Sequence, residues 1–126
     1  MRVGYKLRRE IEDLFPGKCT PAERLAGLEI AEFASERTRI SLIPRVLLMH
    51  RTGLSDRGLR DVLQRLSERG LEFRIEHGKD RNGRPVYAVK DREIEYRVPA
   101  VSEFAALAEP FQGGTTVPPA RPGRPP

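Results

Sequence analysis

Pro-Arg-Val-Leu-Leu-Met-His-Arg-Thr-Gly-Leu-Ser-Asp-Arg-Gly-Leu-Arg-Asp-Val-Leu-Gln-Arg-Leu-Ser-Glu-Arg-Gly, residues 44 to 70, reads as a short helix, a tight turn and a longer helix. Ser55 is placed to cap the second helix, Asp56 complements its positive end, and Gly70 offers a left-handed stop. Leu59, Val62, Leu63 and Leu66 fall at i, i+3, i+4 and i+7, one apolar stripe that must be buried. Upstream, Pro44 suits the first helical position, and Val46, Leu47, Leu48 and Met49 form a brief apolar segment. Between the helices, Gly53 accommodates a positive φ, while Leu54 points inward and sets the crossing.

The polar face of the second helix carries Asp56, Arg57, Arg60, Asp61, Gln64 and Arg65, side chains that donate to or accept from the edges of bases. Thr-Gly-Leu-Ser at 52 to 55, Arg57 and the pair Leu59-Arg60 resemble a helix-turn-helix motif, which makes the second helix the candidate recognition helix. Gly58 within it lowers helix propensity by roughly 1 kcal/mol relative to alanine.

Downstream, Leu71-Glu72-Phe73-Arg74-Ile75-Glu76-His77 alternates strictly, predicting a half-buried strand with Leu71, Phe73 and Ile75 toward the core. Residues 78 to 85 form a turn-rich basic loop with Asn82-Gly83 as a hairpin signal, and 86–89 and 94–98 supply returning strands. Lys79, Arg81, Asn82 and Arg84 at the tip are suited to a phosphate backbone or a narrow minor groove.

Upstream, Arg39-Ile-Ser-Leu-Ile43 predicts a short strand before Pro44. Thr20-Pro21-Ala22-Glu23 combines an N-cap, a proline at the first helical position and a reciprocal glutamate, the capping box of a scaffold helix that runs on to Arg37. Glu29, Glu32 and Glu36 recur on one side of that helix, which predicts an acidic surface turned away from any polyanion. Residues 5 to 15 place Leu7, Ile11, Leu14 and Phe15 at helical spacing, an amphipathic helix that Pro16-Gly17 ends and that is expected to pack on its own domain. Residues 101 to 108 suit one or two helical turns; beyond Gln112 the chain is rich in Gly and Pro and expected to be disordered.

A chain of 126 residues, 38% hydrophobic, supports one modest domain. The single cysteine, Cys19, permits no internal disulfide, and with two histidines it makes no structural zinc set; no metal and no cofactor are expected. His50 and His77 have no partner pattern and are read as structural. No run approaches the ~18 apolar residues of a membrane span, and the first residues lack a leader-type apolar run, so a cytoplasmic location is expected. The net charge of +5 suits a polyanion, and its distribution is informative. Residues 44 to 98 hold 13 Lys and Arg against 9 Asp and Glu, whereas residues 20 to 43 hold 3 against 4. Arg outnumbers Lys 19 to 4, favouring planar bidentate donors, although a GC-rich genome produces the same bias.

From residue 20 to 98 the order of capped helix, short strand, helix, turn, helix, strand, basic loop and strand resembles the winged helix-turn-helix family of DNA-binding proteins. Arg-Gly-Leu-Glu-Phe-Arg-Ile at 69 to 75, Gly-Arg-Pro-Val-Tyr-Ala at 83 to 88 and Tyr-Arg-Val-Pro at 96 to 99 are similar to small winged-helix proteins of phages and plasmids. The resemblance implies an α+β winged helix-turn-helix fold, a three-helix core with a small antiparallel sheet and wing. An N-terminal helical extension (1–19) precedes the domain (20–99), and a short helical turn and disordered tail (100–126) follow it. It also implies a non-catalytic protein that binds double-stranded DNA, in transcriptional regulation or in replication and maintenance of a mobile element, nucleoid-associated when bound. Ser55, Arg57, Arg60, Asp61, Gln64 and Arg65 would serve the recognition helix, and Lys79, Arg81, Asn82 and Arg84 the wing. One such domain makes few contacts, so a homodimer or side-by-side copies are expected on DNA. A docking module in a larger assembly is the alternative. An enzyme is not expected, because no acid pair, activated nucleophile, metal cluster or phosphate loop is present.

Overall fold

Thr20 opens the central helix by accepting a hydrogen bond from the Glu23 N–H through its hydroxyl, while the Glu23 carboxylate accepts one from the Thr20 N–H, both at 3.2 Å. The computed structural model, which describes residues 5–88 and 93–107, contains helices α1 (Tyr5–Ile11), α2 (Pro21–Glu32), α3 (Arg45–Thr52), α4 (Asp56–Glu68) and α5 (Val101–Ala105). Two short strands, β1 (Ile40–Ser41) and β2 (Tyr96–Arg97), pair antiparallel with Ile40 opposite Arg97 and Ser41 opposite Tyr96. The architecture is therefore mixed helix and a small antiparallel sheet.

Helix α2 touches α1, α3, α4 and both strands. Its Ala26, Ile30 and Ala31 are fully buried, and α4 lays Leu59, Val62, Leu63 and Leu66 into the same core, each at most 1% exposed. Burial of side chains of this size stabilises by roughly 2 kcal/mol each. Leu7 and Ile11 bring α1 into that core. Phe15 stacks parallel to Phe73 at 6.3 Å between centroids and meets Phe104 edge-on at 5.4 Å, so the segments around 15, 73 and 104 converge.

The turn between α3 and α4 follows the sequence closely. Gly53 adopts φ 74° and donates its N–H to the Met49 carbonyl. Leu54 is half-buried against the core, and Ser55 Oγ accepts the Gly58 N–H at 3.0 Å. At the other end of α4 the Leu71 and Gly70 N–H groups bond the Leu66 and Ser67 carbonyls, closing the helix as a Schellman motif.

Several expectations require correction. Helix α1 stops at Ile11, not at residue 15, because the chain turns there with the Leu14 N–H on the Ile11 carbonyl. Helix α2 ends at Glu32 rather than Arg37, because Ser35 Oγ takes the Arg37 and Thr38 N–H groups and offers the backbone a turn instead. Pro44 is the N-cap of α3, not its first helical residue. The predicted strand at 71–77, and the described residues 86–88 of the one predicted at 86–89, are not regular strands. Residues 73 to 75 follow β2 through Arg97 N–H to Phe73 carbonyl and Ile75 N–H to Glu95 carbonyl bonds, both 2.9 Å. Ile75 is only half-buried, whereas Leu71 and Phe73 are fully buried. The predicted 94–98 strand shortens to β2, residues 89–92 lie outside the described residues, and so does the expected disordered tail.

The acidic surface expected on α2 is also absent. Glu29 and Glu32 are 5% and 6% exposed, covered by Arg8 of α1 and Arg51 of α3. Arg8 reaches Glu29 at 3.0 Å and Glu32 at 2.8 Å; Arg51 pairs with Glu29 and lies 3.3 Å from Glu32. Only Glu36 of the three is exposed.

Candidate nucleic-acid interface

The face of α4 opposite its apolar stripe is solvent-exposed. The Arg57, Arg60 and Asp61 side chains are 86%, 61% and 56% exposed. Arg57 lies 4.0 Å from Asp61, and Arg60 lies 3.3 Å from Asp56, both as i,i+4 pairs. Exposed pairs of this kind are worth about 0.3–0.5 kcal/mol, so a polyanion or a base edge can displace them at little cost.

The start of α4 is held from behind. Arg45, the first residue of α3, bonds the Asp56 carboxylate through Nε at 2.8 Å and the Asp56 carbonyl through Nη2 at 3.3 Å. Its Nη1 donates to the buried Tyr96 hydroxyl at 3.0 Å, and its N–H donates to Glu93 at 3.1 Å. One arginine thus joins α3, α4 and β2. Hydrogen bonding by Arg45 holds the Asp56 carboxyl below the usual carboxylate range.

The two remaining α4 residues of the candidate set are differently disposed. Arg65 turns back to Glu23 on α2 at 3.0 Å, beside Arg69 at 2.8 Å. Burial would raise the Glu23 carboxyl, but the hydrogen bonds from Arg69, Arg65 and the Thr20 N–H outweigh it and hold the pKa below its ordinary value. Gln64 accepts from Arg74 at 3.3 Å and donates to Glu68 at 3.2 Å.

The basic loop is a hairpin. The His77 N–H bonds the Val86 carbonyl and the Val86 N–H bonds the Gly78 carbonyl, both 2.8 Å, and residues 79 and 85 form a bridge. At its tip Asp80 Oδ1 accepts the Asn82 and Arg84 N–H groups at 2.8 and 3.0 Å, a local turn that leaves Arg81, Asn82 and Arg84 exposed. Lys79 pairs with Glu76 at 3.0 Å. Ser55 of the candidate set serves as the α4 N-cap.

Sequence reasoning misses Arg45, Arg69 and the Arg74–Tyr87 stack, which has the guanidinium 3.9 Å from the ring centroid. Their partners Asp56, Glu23, Glu72 and Tyr96 each carry a sequence signal, but none that points to these arginines. Cys19 is buried, and burial, with the Glu23 charge, raises its thiol pKa. His77 lies 3.4 Å from Glu95, and His50 is exposed. Among the described residues, no His, Cys, Asp and Glu group is arranged to hold a metal ion, and no helix is long and apolar enough to cross a membrane. Comparison with protein-family models, with curated proteins and with solved structures gives no significant match.

Proposed function

We propose that this chain is a non-catalytic, double-stranded DNA-binding protein with a winged helix-turn-helix domain, acting in transcriptional regulation or in replication and maintenance of a phage or plasmid. The observation that carries this reading is the exposed Arg57, Arg60 and Asp61 face of α4 bonded, through Gln64 and Arg74, to a hairpin that displays Arg81 and Arg84.

In this reading α4 enters the major groove. Arg57 and Arg60 donate to guanine O6 and N7, Asp61 accepts from cytosine N4, and the hairpin grips the backbone or the adjacent minor groove. Ser55 shapes the helix end that approaches the phosphates, and Lys79, Arg81, Asn82 and Arg84 supply the hairpin contacts. Arg65, drawn to Glu23, contributes by holding α4 on α2. Two copies on two half-sites raise affinity beyond what one such surface supplies.

The test is titration of duplex DNA at several salt concentrations. Arg57→Ala and Arg60→Ala are each expected to cost about 1–3 kcal/mol on a selected site and to relax its sequence preference. Arg81→Ala and Arg84→Ala should weaken binding to all sequences and flatten the salt dependence by about 0.9 in log–log slope for each phosphate no longer neutralised. Absent or salt-independent binding would overturn the proposal.

One observation favours a second reading, a protein-docking module. Leu42 and Val46 are each 75% exposed, an aliphatic pair beside the start of α3. Substitution of both by serine leaves DNA binding intact under the first reading and abolishes partner capture under the second.

A further inference from the structure

The basic hairpin is joined to α4 by one polar cluster. Arg74 stacks its guanidinium on the Tyr87 ring, donates to Glu72 through Nε at 2.8 Å and Nη2 at 3.0 Å, and reaches Gln64 Oε1 with Nη2 at 3.3 Å. Tyr87, on the returning limb of the hairpin, donates its hydroxyl to the same Glu72 at 2.8 Å. The Arg74 side chain is 11% exposed, so the stack and its ion pair are largely removed from water. Glu72 is pushed up by burial, but the bonds from Arg74, Ser67 and Tyr87 outweigh this and keep its carboxyl below the usual range. Arg84, in the basic tip, lines the same cleft of about 430 Å³ as Gln64, Ser67, Arg74 and Tyr87.

Gln64, itself exposed, joins this cluster from α4 through an exposed 3.3 Å hydrogen bond. A glutamine that reads adenine presents Oε1 and Nε2 together to N6 and N7 of one base. Here Oε1 faces Arg74 on the hairpin side, and Nε2 faces Glu68 one turn along α4.

We infer that Gln64 and Arg74 are positioning residues that lock the hairpin at one distance from α4, so that the preferred ligand is a duplex with fixed spacing between the bases met by Arg57, Arg60 and Asp61 and the stretch gripped by Arg81 and Arg84. The duplex preference rests on the proposed function; the lock itself is a property of the free protein.

The test is backbone amide exchange at His77 and Val86 in the DNA-free full chain, followed by selection of duplexes from a random pool. Gln64→Ala and Arg74→Ala are expected to speed exchange at both amides by about tenfold while the Leu63 amide in α4 stays protected. Gln64→Glu keeps an acceptor for Arg74 and is expected to retain wild-type protection. In the selection, Gln64→Ala should keep the base preferences of α4, and backbone footprints on the selected duplexes should place the hairpin contact at variable spacing from the motif, with Gln64→Glu behaving as wild type. A base-reading Gln64 predicts otherwise: both variants at 64 lose preference at one adenine, and hairpin exchange is unchanged. That result, or unchanged exchange in Arg74→Ala, overturns the inference. If no variant and no wild-type chain binds any duplex, the DNA reading fails, and the exchange data alone decide the lock.

Discussion

Glu23 is the residue whose removal should most disturb the attachment of α4 to the scaffold. Its carboxylate is fully buried and takes hydrogen bonds from Arg69 at 2.8 Å, Arg65 at 3.0 Å and the Thr20 N–H at 3.2 Å. In Glu23→Ala the missing half of the capping box is worth about 1 kcal/mol. The charged bond to Arg69 is worth about 1.5–3 kcal/mol. The Arg65 side chain is 47% exposed and regains water, so its share is at most about 0.5 kcal/mol. The total, about 2.5–4.5 kcal/mol, is a large part of the roughly 5–15 kcal/mol that holds such a domain folded. Urea unfolding followed by circular dichroism should show it as a midpoint lowered by about 1–2 M with unchanged slope. A reciprocal variant checks the cause. Arg65→Ala with Arg69→Ala strands the buried carboxylate, so its destabilisation should be greater at pH 7 than at pH 4, where the group takes up a proton. A loss below about 0.5 kcal/mol in Glu23→Ala, or a pH-independent loss in the double variant, would show that Glu23 does not anchor α4.

Gly27→Ala should destabilise even though alanine is the better helix former: its Cβ would lie 2.7 Å from the Phe15 ring and 2.9 Å from the Phe73 ring. Overpacking of about 1–3 kcal/mol exceeds the propensity gain of about 1 kcal/mol, and the thermal midpoint should fall. Arg45→Ala removes the partner of the buried Tyr96 hydroxyl and the anchor of Asp56, costing about 1–3 kcal/mol in urea unfolding and leaving the start of α4 more open to amide exchange. Glu23, Glu72 and Glu103 all titrate below the ordinary 4.5 in the folded chain, so the stability they contribute is complete above pH 4.5 and is lost as pH falls through their folded values. The thermal midpoint should decline progressively below pH 4.5, and a flat profile down to pH 3 would contradict this.

Local chemistry was legible in the sequence where neighbouring residues supply both partners. The Thr20–Glu23 capping box, Ser55 on the Gly58 N–H and Gly53 at φ 74° each depend on residues within four positions. Periodicity likewise identified the buried face of α4, because a helix repeats its direction every 3.6 residues. Alternation over 71–75 gave the right direction for Leu71 and Phe73, but it carries no information on where a sheet ends, and Ile75 lies where pairing to β2 stops. The ion-pair anchors were hidden for a different reason. Glu29 and Glu32, at i and i+3, look identical whether water or arginines cover them; Arg8 and Arg51 come from 21 and 22 residues away from Glu29. Arginine's long, flexible side chain lets one local pattern serve either outcome. The candidate interface was accordingly only partly readable: Arg57, Arg60, Asp61, Gln64 and Arg65 are all exposed as expected, but Gln64 and Arg65 also bond Arg74 and Glu23, partners no periodicity specifies.

Recognition of double-stranded DNA by α4 and the hairpin together, as proposed, is decided by selection from a random duplex pool by the full chain, with the bound sequences read out and a chain carrying Arg57→Ala and Arg60→Ala run in parallel. The predicted result is enrichment of one motif containing G·C pairs, with no such enrichment by the double variant. An unenriched pool, or the same motif from both chains, would contradict it.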